Sequence, residues 1–185
     1  MLKDQYSPIR FAVIFVILFV AFYYFNIFYL GLTTPANHYI AFLNNHLNYI
    51  QWLKWALLYC SKKTLIALGY TTITNDEDLL VAGYHHIKIA YSCLGLGVMS
   101  FLTAFIIAYP KPLKQKLIFW ASGIIIIQLL NIIRFIILAL YWRPQTNKII
   151  DHHIIFNTVI YIIIIISLYL WTKHDFKPTK KYEKN

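Results

Sequence analysis

The chain has 185 residues, 59% of them hydrophobic and only 13% charged, and its mean hydropathy of +0.58 excludes an ordinary soluble globular domain. A formal net charge of +10 would suit nucleic acid, but the lysines and arginines cluster beside apolar runs instead of lining an exposed stripe, so no nucleic-acid partner is expected. The composition is that of an all-α protein of the lipid bilayer, with one integral membrane domain over residues 1–173 and a basic tail over 174–185.

Spanning helices need roughly 20 mostly apolar residues, and four stretches meet or approach that length. The first is 11–30. Its exit, GLTTPANHY, has no small-x-small cleavage pattern, so it reads as a retained helix and not a signal peptide. Residues 37–68 alternate apolar and polar positions at helical spacing and are rich in Trp and Tyr, which predicts a helical segment lying in the interface. A crossing by 50–68 would carry Lys54, Lys62 and Lys63 into the bilayer and is rejected. Two β-prone runs, 70–73 and 85–90, flank a polar turn and predict a small hairpin. The remaining spans are 89–109, 117–141 and 154–171.

Basic residues then set the topology. Lys3 and Arg10 precede the first span, Lys111, Lys114 and Lys116 separate the second from the third, and Lys173, Lys177, Lys180, Lys181 and Lys184 follow the fourth. By the positive-inside rule these segments and both termini are cytoplasmic. Residues 31–88, with the acidic run Asp76, Glu77 and Asp78, and residues 142–152 then face outward, as expected for a multi-pass protein of a bacterial inner membrane.

On this topology three reactive residues reach the outer side. At 1.5 Å rise per residue, Cys93 lies about 6 Å and Arg134 about 10 Å inside the outer surface, while His152 and His153 open the last span. An arginine within NIIRFIILAL costs at least about 2.5 kcal/mol and needs a partner or water; snorkelling or pairing with Asp151 would also satisfy it. A buried cysteine by itself is usually a small core residue. Together, however, the three supply one reaction. A thiolate attacks a carbonyl, an imidazole takes the thiol proton and returns it to the leaving amine, and a guanidinium stabilises the thiolate and the developing oxyanion. Asn131 and Asn157, one turn from Arg134 and His153 respectively, are spaced to orient these groups, although polar residues in spans also serve as interhelical glue. Cys60 is the other cysteine; a bridge to Cys93 is open in an oxidising compartment but would consume the nucleophile. His85 and His86 belong to the hairpin. With His152 and His153 they raise a metal- or haem-binding reading, but no pair has the i, i+4 spacing of a helical ligand site, and no cofactor is expected. A non-catalytic membrane scaffold is the third reading.

The stretches AYSCLGLGVMSF, NIIRFIILAL and DHHIIFNTVIY resemble, in order and membrane context, the cysteine, arginine and histidine motifs of the exosortase/archaeosortase family. The resemblance covers residues 81–171. It implies a membrane-embedded cysteine protease or transpeptidase that cleaves C-terminal sorting signals of exported proteins and transfers them to an acceptor. Its partners would be membrane-anchored proteins ending in a short motif, a spanning helix and a basic tail, reaching the enzyme laterally. It further implies Cys93 as nucleophile, Arg134 as oxyanion or thiolate stabiliser and His153 as general acid/base. Two positions depart from the family pattern: its Cys-Ser-Gly is Cys93-Leu94-Gly95 here, and the glycine four residues after its histidine is Asn157. The Ile-, Lys-, Asn- and Tyr-rich composition is similar to that of short members from Bacteroidota.

Overall fold

The computed structural model describes residues 8–34, 39–75, 78–84, 86–141 and 152–173. Its architecture is that of an all-α membrane protein with one small antiparallel sheet. Among the described residues, three helices hold stretches long and apolar enough to cross a bilayer: α1 (Pro8–Thr33), α5 (Leu113–Tyr141) and α6 (His152–Lys173), the last over Phe156–Lys173. A shorter apolar helix, α4 (Leu96–Ala108), lies among them. Helix α1 runs antiparallel to α4 and packs on it through an aromatic seam. Phe11 meets Phe105 and Phe15 meets Phe101 at centroid distances of 5.3 Å, edge to face, the arrangement that ring quadrupoles favour. The opposite face of α1 presents Val13, Val16, Ile17 and Val20 outward, as a helix bathed in lipid tails does.

The second expected span differs most from its sequence reading. Residues 89–109 are not one helix: they begin with irregular chain and a single 3-10 turn (Tyr91–Cys93), and only Leu96–Ala108 is α-helical. At 1.5 Å per residue that is about 20 Å, short of a hydrocarbon core of roughly 30 Å. The physical reason is burial within protein. Ile89, Cys93 and Leu94 are apolar because they pack against other elements, being 1%, 3% and 1% exposed, and Gly95 then turns the chain at φ +72° to start the helix. At the other end Pro110 forces Tyr109 into extended backbone (ψ 134°) and stops α4.

Two further helices lie between α1 and the sheet, α2 (Ala41–His46) and α3 (Tyr49–Ala67). Asn48 caps α3 by accepting from the Gln51 amide at 2.9 Å. Helix α3 buries Leu57, Leu58, Ser61 and Leu65 and exposes Trp52, Trp55 and Tyr59. It closes on Gly69 at φ +89°, with Tyr70 N bonded to Leu65 O and Gly69 N to Ile66 O, the double bond pattern that glycine at this position allows. The chain then forms β1 (Thr72–Thr74), β2 (Asp78–Val81) and β3 (His86–Lys88), antiparallel in the order β1-β2-β3. The expected hairpin thus gains a central strand. The sequence places Asp78–Val81 in the polar turn, yet Leu79 and Val81 insert into the core while the strand pairs on both edges.

Two buried clusters result. One joins α3, β2, the Cys93 turn and the C-terminal half of α5 through Leu58, Leu65, Leu79, Ile89, Cys93 and Phe135. The other fills the space between α4, α5 and α6 with Val98, Leu102, Ile106, Ile127, Ile160 and Ile164. At the far end of α4 the chain is basic and aromatic: Lys111 donates to the Trp171 carbonyl and lies 4.1 Å from the Trp171 ring centre, and Lys116 donates to Ile107 O.

Candidate active site

Cys93 is carried by the 3-10 turn, where Cys93 N bonds Ala90 O at 2.9 Å and Leu94 N bonds Tyr91 O at 3.1 Å. Its position is therefore set by backbone packed between the sheet and α4, not by a helical register. Arg134 comes from α5, with its side chain 1% exposed. Its Nη2 donates toward Cys93 Sγ at 3.6 Å and its Nη1 donates to Asn157 Oδ1, on α6, at 3.0 Å. The guanidinium carbon also stands 5.7 Å from the centre of the Phe156 ring. One fork thus links the thiol turn, α5 and α6, which a single ammonium could not do with the same geometry. Snorkelling to the surface is overturned as the account of Arg134, since its side chain is buried and bonds across elements to Cys93 and Asn157.

The remaining candidates sort differently. Asn157 binds Arg134 across the helix interface instead of serving only its own helix. Asn131, expected to orient Arg134, turns to the other side. Its Nδ2 donates to the Leu94 carbonyl at 3.3 Å and to Gln128 Oε1 at 3.1 Å. His153 and His152 belong to the first turn of α6, and their side chains lie outside the described residues, as do those of His85, His86 and Asp151. Cys60 sits exposed on α3 and is not disulfide-bonded to the buried Cys93.

A family model described as transmembrane exosortase (Exosortase_EpsH) matches residues 9–170. The chain belongs to the transmembrane exosortase family. That membership makes it a multi-pass membrane protein and implies a transpeptidase-type function. No curated protein and no solved structure matches the chain.

In this exosortase, residues beyond the candidate catalytic set also shape the site. Gly95 lies so close to α5 that a Cβ there would fall 2.7 Å from Asn131 Nδ2 and 3.2 Å from Ile127 Cγ2. It is thus the glycine of the Cys-x-Gly motif that the backbone requires, both for its positive φ and for this approach. Gln128 supports Asn131, and Phe156 offers its ring to the guanidinium. A glycine two residues after the candidate thiol was the visible signal for the first; the other two are contacts between distant parts of the chain with no local signature. An open cavity of about 380 Å3 lies between α1, α3, α4 and α5, lined by residues including Asn26, Leu96, Ser100, Trp120 and Gln128.

Proposed function

We propose that this exosortase is a membrane-embedded cysteine protease or transpeptidase that cleaves C-terminal sorting signals of exported proteins through a Cys93 thioester. The observation that carries the reading is the buried pairing of Arg134 Nη2 with Cys93 Sγ at 3.6 Å. A guanidinium held there by Asn157 is preorganised to stabilise negative charge, first on sulfur and then on the oxygen of the scissile carbonyl, in a site shielded from water. Asn157 lies four residues after His153, and residues so spaced share a helix face, which supports His153 as the acid/base with His152 as its alternate.

The steps follow from those roles. His153 accepts the Cys93 proton and the thiolate adds to the carbonyl carbon. Collapse of the tetrahedral adduct breaks the C–N bond, His153 returns the proton to the departing amine, and the acyl group remains on sulfur as a thioester. An acceptor amine or water then attacks the thioester and loses a proton to His153, the C–S bond breaks, and His153 passes that proton to the departing sulfur to restore the Cys93 thiol. The open cavity between α1, α3, α4 and α5 supports entry between helices from the bilayer, as a substrate with its own spanning helix requires. Lys111, Lys116 and Lys173, at the end of the bundle away from Cys93, support cytoplasmic termini and a site on the outer, periplasmic side of an inner membrane.

The test is co-expression with a protein from the same genome that ends in a short motif, an apolar helix and a basic tail. Cys93→Ala should abolish processing and leave the uncleaved precursor, and the wild type should yield a covalent Cys93 adduct. Normal processing by Cys93→Ala would instead point to a scaffold.

A further inference from the structure

Building on the reading of Cys93 as nucleophile, we infer that Asn131 is a positioning residue: it clamps the Leu94 carbonyl, and so holds the turn that carries Cys93 against the Arg134 guanidinium. The observations meet from three sides. Leu94 precedes the first residue of α4's cap, so its carbonyl lies outside the helical ladder and must be satisfied from elsewhere; Asn131 Nδ2 supplies that bond at 3.3 Å. Gly95 brings the backbone against the same amide, leaving no room for a side chain. And Asn131 stands three residues before Arg134, so one stretch of α5 holds both the backbone beside the sulfur and the sulfur itself.

Stability alone does not account for this amide. Asn131 is 0% exposed, and its Oδ1 has no hydrogen-bond partner among the described residues. A buried acceptor left in that state is a net cost that leucine would avoid. What the amide provides is direction: its two N–H groups go to Leu94 O and to Gln128 Oε1, and Gln128 is anchored in turn by Nε2 to Met99 Sδ at 3.1 Å on the wall of the cavity. The clamp therefore fixes the register of α5 against the turn, and through it the separation of sulfur and guanidinium.

The experiment is a double-mutant cycle on thiol reactivity that needs no substrate. Full-length protein in detergent micelles, with Cys60→Ser so that one cysteine remains, is treated with iodoacetamide at fixed pH, and Cys93 alkylation is followed by mass spectrometry. Asn131→Leu should slow alkylation by roughly tenfold, and should slow it no further once Arg134→Gln is present, because the two residues act on one sulfur. Unchanged or faster alkylation in Asn131→Leu, or the same loss in both backgrounds, overturns the clamp and leaves Asn131 as packing. Should Asn131→Leu fail to assemble, Gln128→Leu decides: about a twofold slowing, absent in the Arg134→Gln background, is expected from losing one of two linked bonds, and no change refutes the proposal. Processing by Cys93→Ala is scored separately. Normal processing there would end the functional reading while a non-additive cycle kept the clamp; the reverse pattern would end only the clamp.

Discussion

The two buried clusters of this exosortase are built from equally apolar sequence but do different work. The cluster between α4, α5 and α6 is helix against helix, with Leu102, Ile127 and Ile160 among its buried residues. The cluster under the sheet joins a helix, a strand, a 3-10 turn and the end of α5, and within it Arg134 and Asn131 are fully buried. Regular packing leaves each backbone group satisfied within its own helix. Irregular packing frees groups such as the Leu94 carbonyl, which then call for side-chain partners, and those partners are the polar residues at the candidate site. The mid-bundle cluster is apolar throughout; the cluster under the sheet adjoins the candidate site, which holds a charge in a low-dielectric place.

The largest expected break in that contrast is at Arg134. Arg134→Met removes the donor to Cys93 and strands Asn157 Oδ1, and processing per molecule of assembled enzyme should fall by at least about 100-fold, the scale of losing one preorganised oxyanion donor. Arg134→Lys should recover little, since one ammonium cannot span Cys93 and Asn157 as the fork does. Near-normal processing by either variant would mean the guanidinium serves only to tie the helices together.

The mid-bundle counterpart is Leu102, 2% exposed and packed over Gly123. Leu102→Ala should lower stability by about 3 kcal/mol, from lost burial and the cavity left behind, measured by unfolding in mixed micelles of rising SDS content. Processing per folded molecule should stay within about twofold if this region acts as scaffold. A loss of rate without a loss of stability would erase the division between the clusters.

Gly95 sits on the border. Gly95→Ala puts an L-residue at φ +72°, costing about 1–2 kcal/mol in backbone strain, and drives a methyl into Asn131. Stability and processing should fall together here, unlike at Leu102.

The same contrast explains what the sequence disclosed. The spans of α1, α5 and α6 were legible because lipid and long apolar runs leave one solution. The truncation of α4 was not: Ile89, Ala90 and Tyr91 are apolar whether they face lipid or a protein cap, and hydropathy cannot separate the two. Strand β2 was hidden because Leu79, Leu80 and Val81 form too short a run beside Asp78. Cys93, Arg134 and Asn157 could be nominated from chemistry and depth, and the bonds among them join separate elements of the chain. The i, i+3 and i, i+4 rules predicted partners along one helix, so they paired Asn131 with Arg134, whereas Asn131 reaches Leu94 and Arg134 reaches Asn157. Local spacing finds neighbours on a helix, but the site is made where helices meet an irregular turn.

The mildest test asks how firmly the two regions are tied. Tyr49 of α3 donates to Asn26 Oδ1 at 2.7 Å, Asn26 Nδ2 donates to Ser100 Oγ at 3.1 Å, and Ser100 Oγ donates to Leu96 O at 2.9 Å. This chain runs from the capping helix through α1 to α4. Tyr49→Phe should cost about 1 kcal/mol, the net worth of one such bond. Burial, and then the nearby Tyr91 and Tyr29, push the Tyr49 hydroxyl up to about 12. The folded state thus favours the protonated donor over the phenolate. An unfolded tyrosine ionises near pH 10, so the stabilisation is complete below about pH 10 and is lost as the pH rises toward about 12. Wild type should therefore lose its advantage over Tyr49→Phe between about pH 10 and about pH 12, read as the gap between their unfolding midpoints. A constant gap would place the coupling between the cap and the bundle in packing, with the hydroxyl chain contributing nothing that titrates.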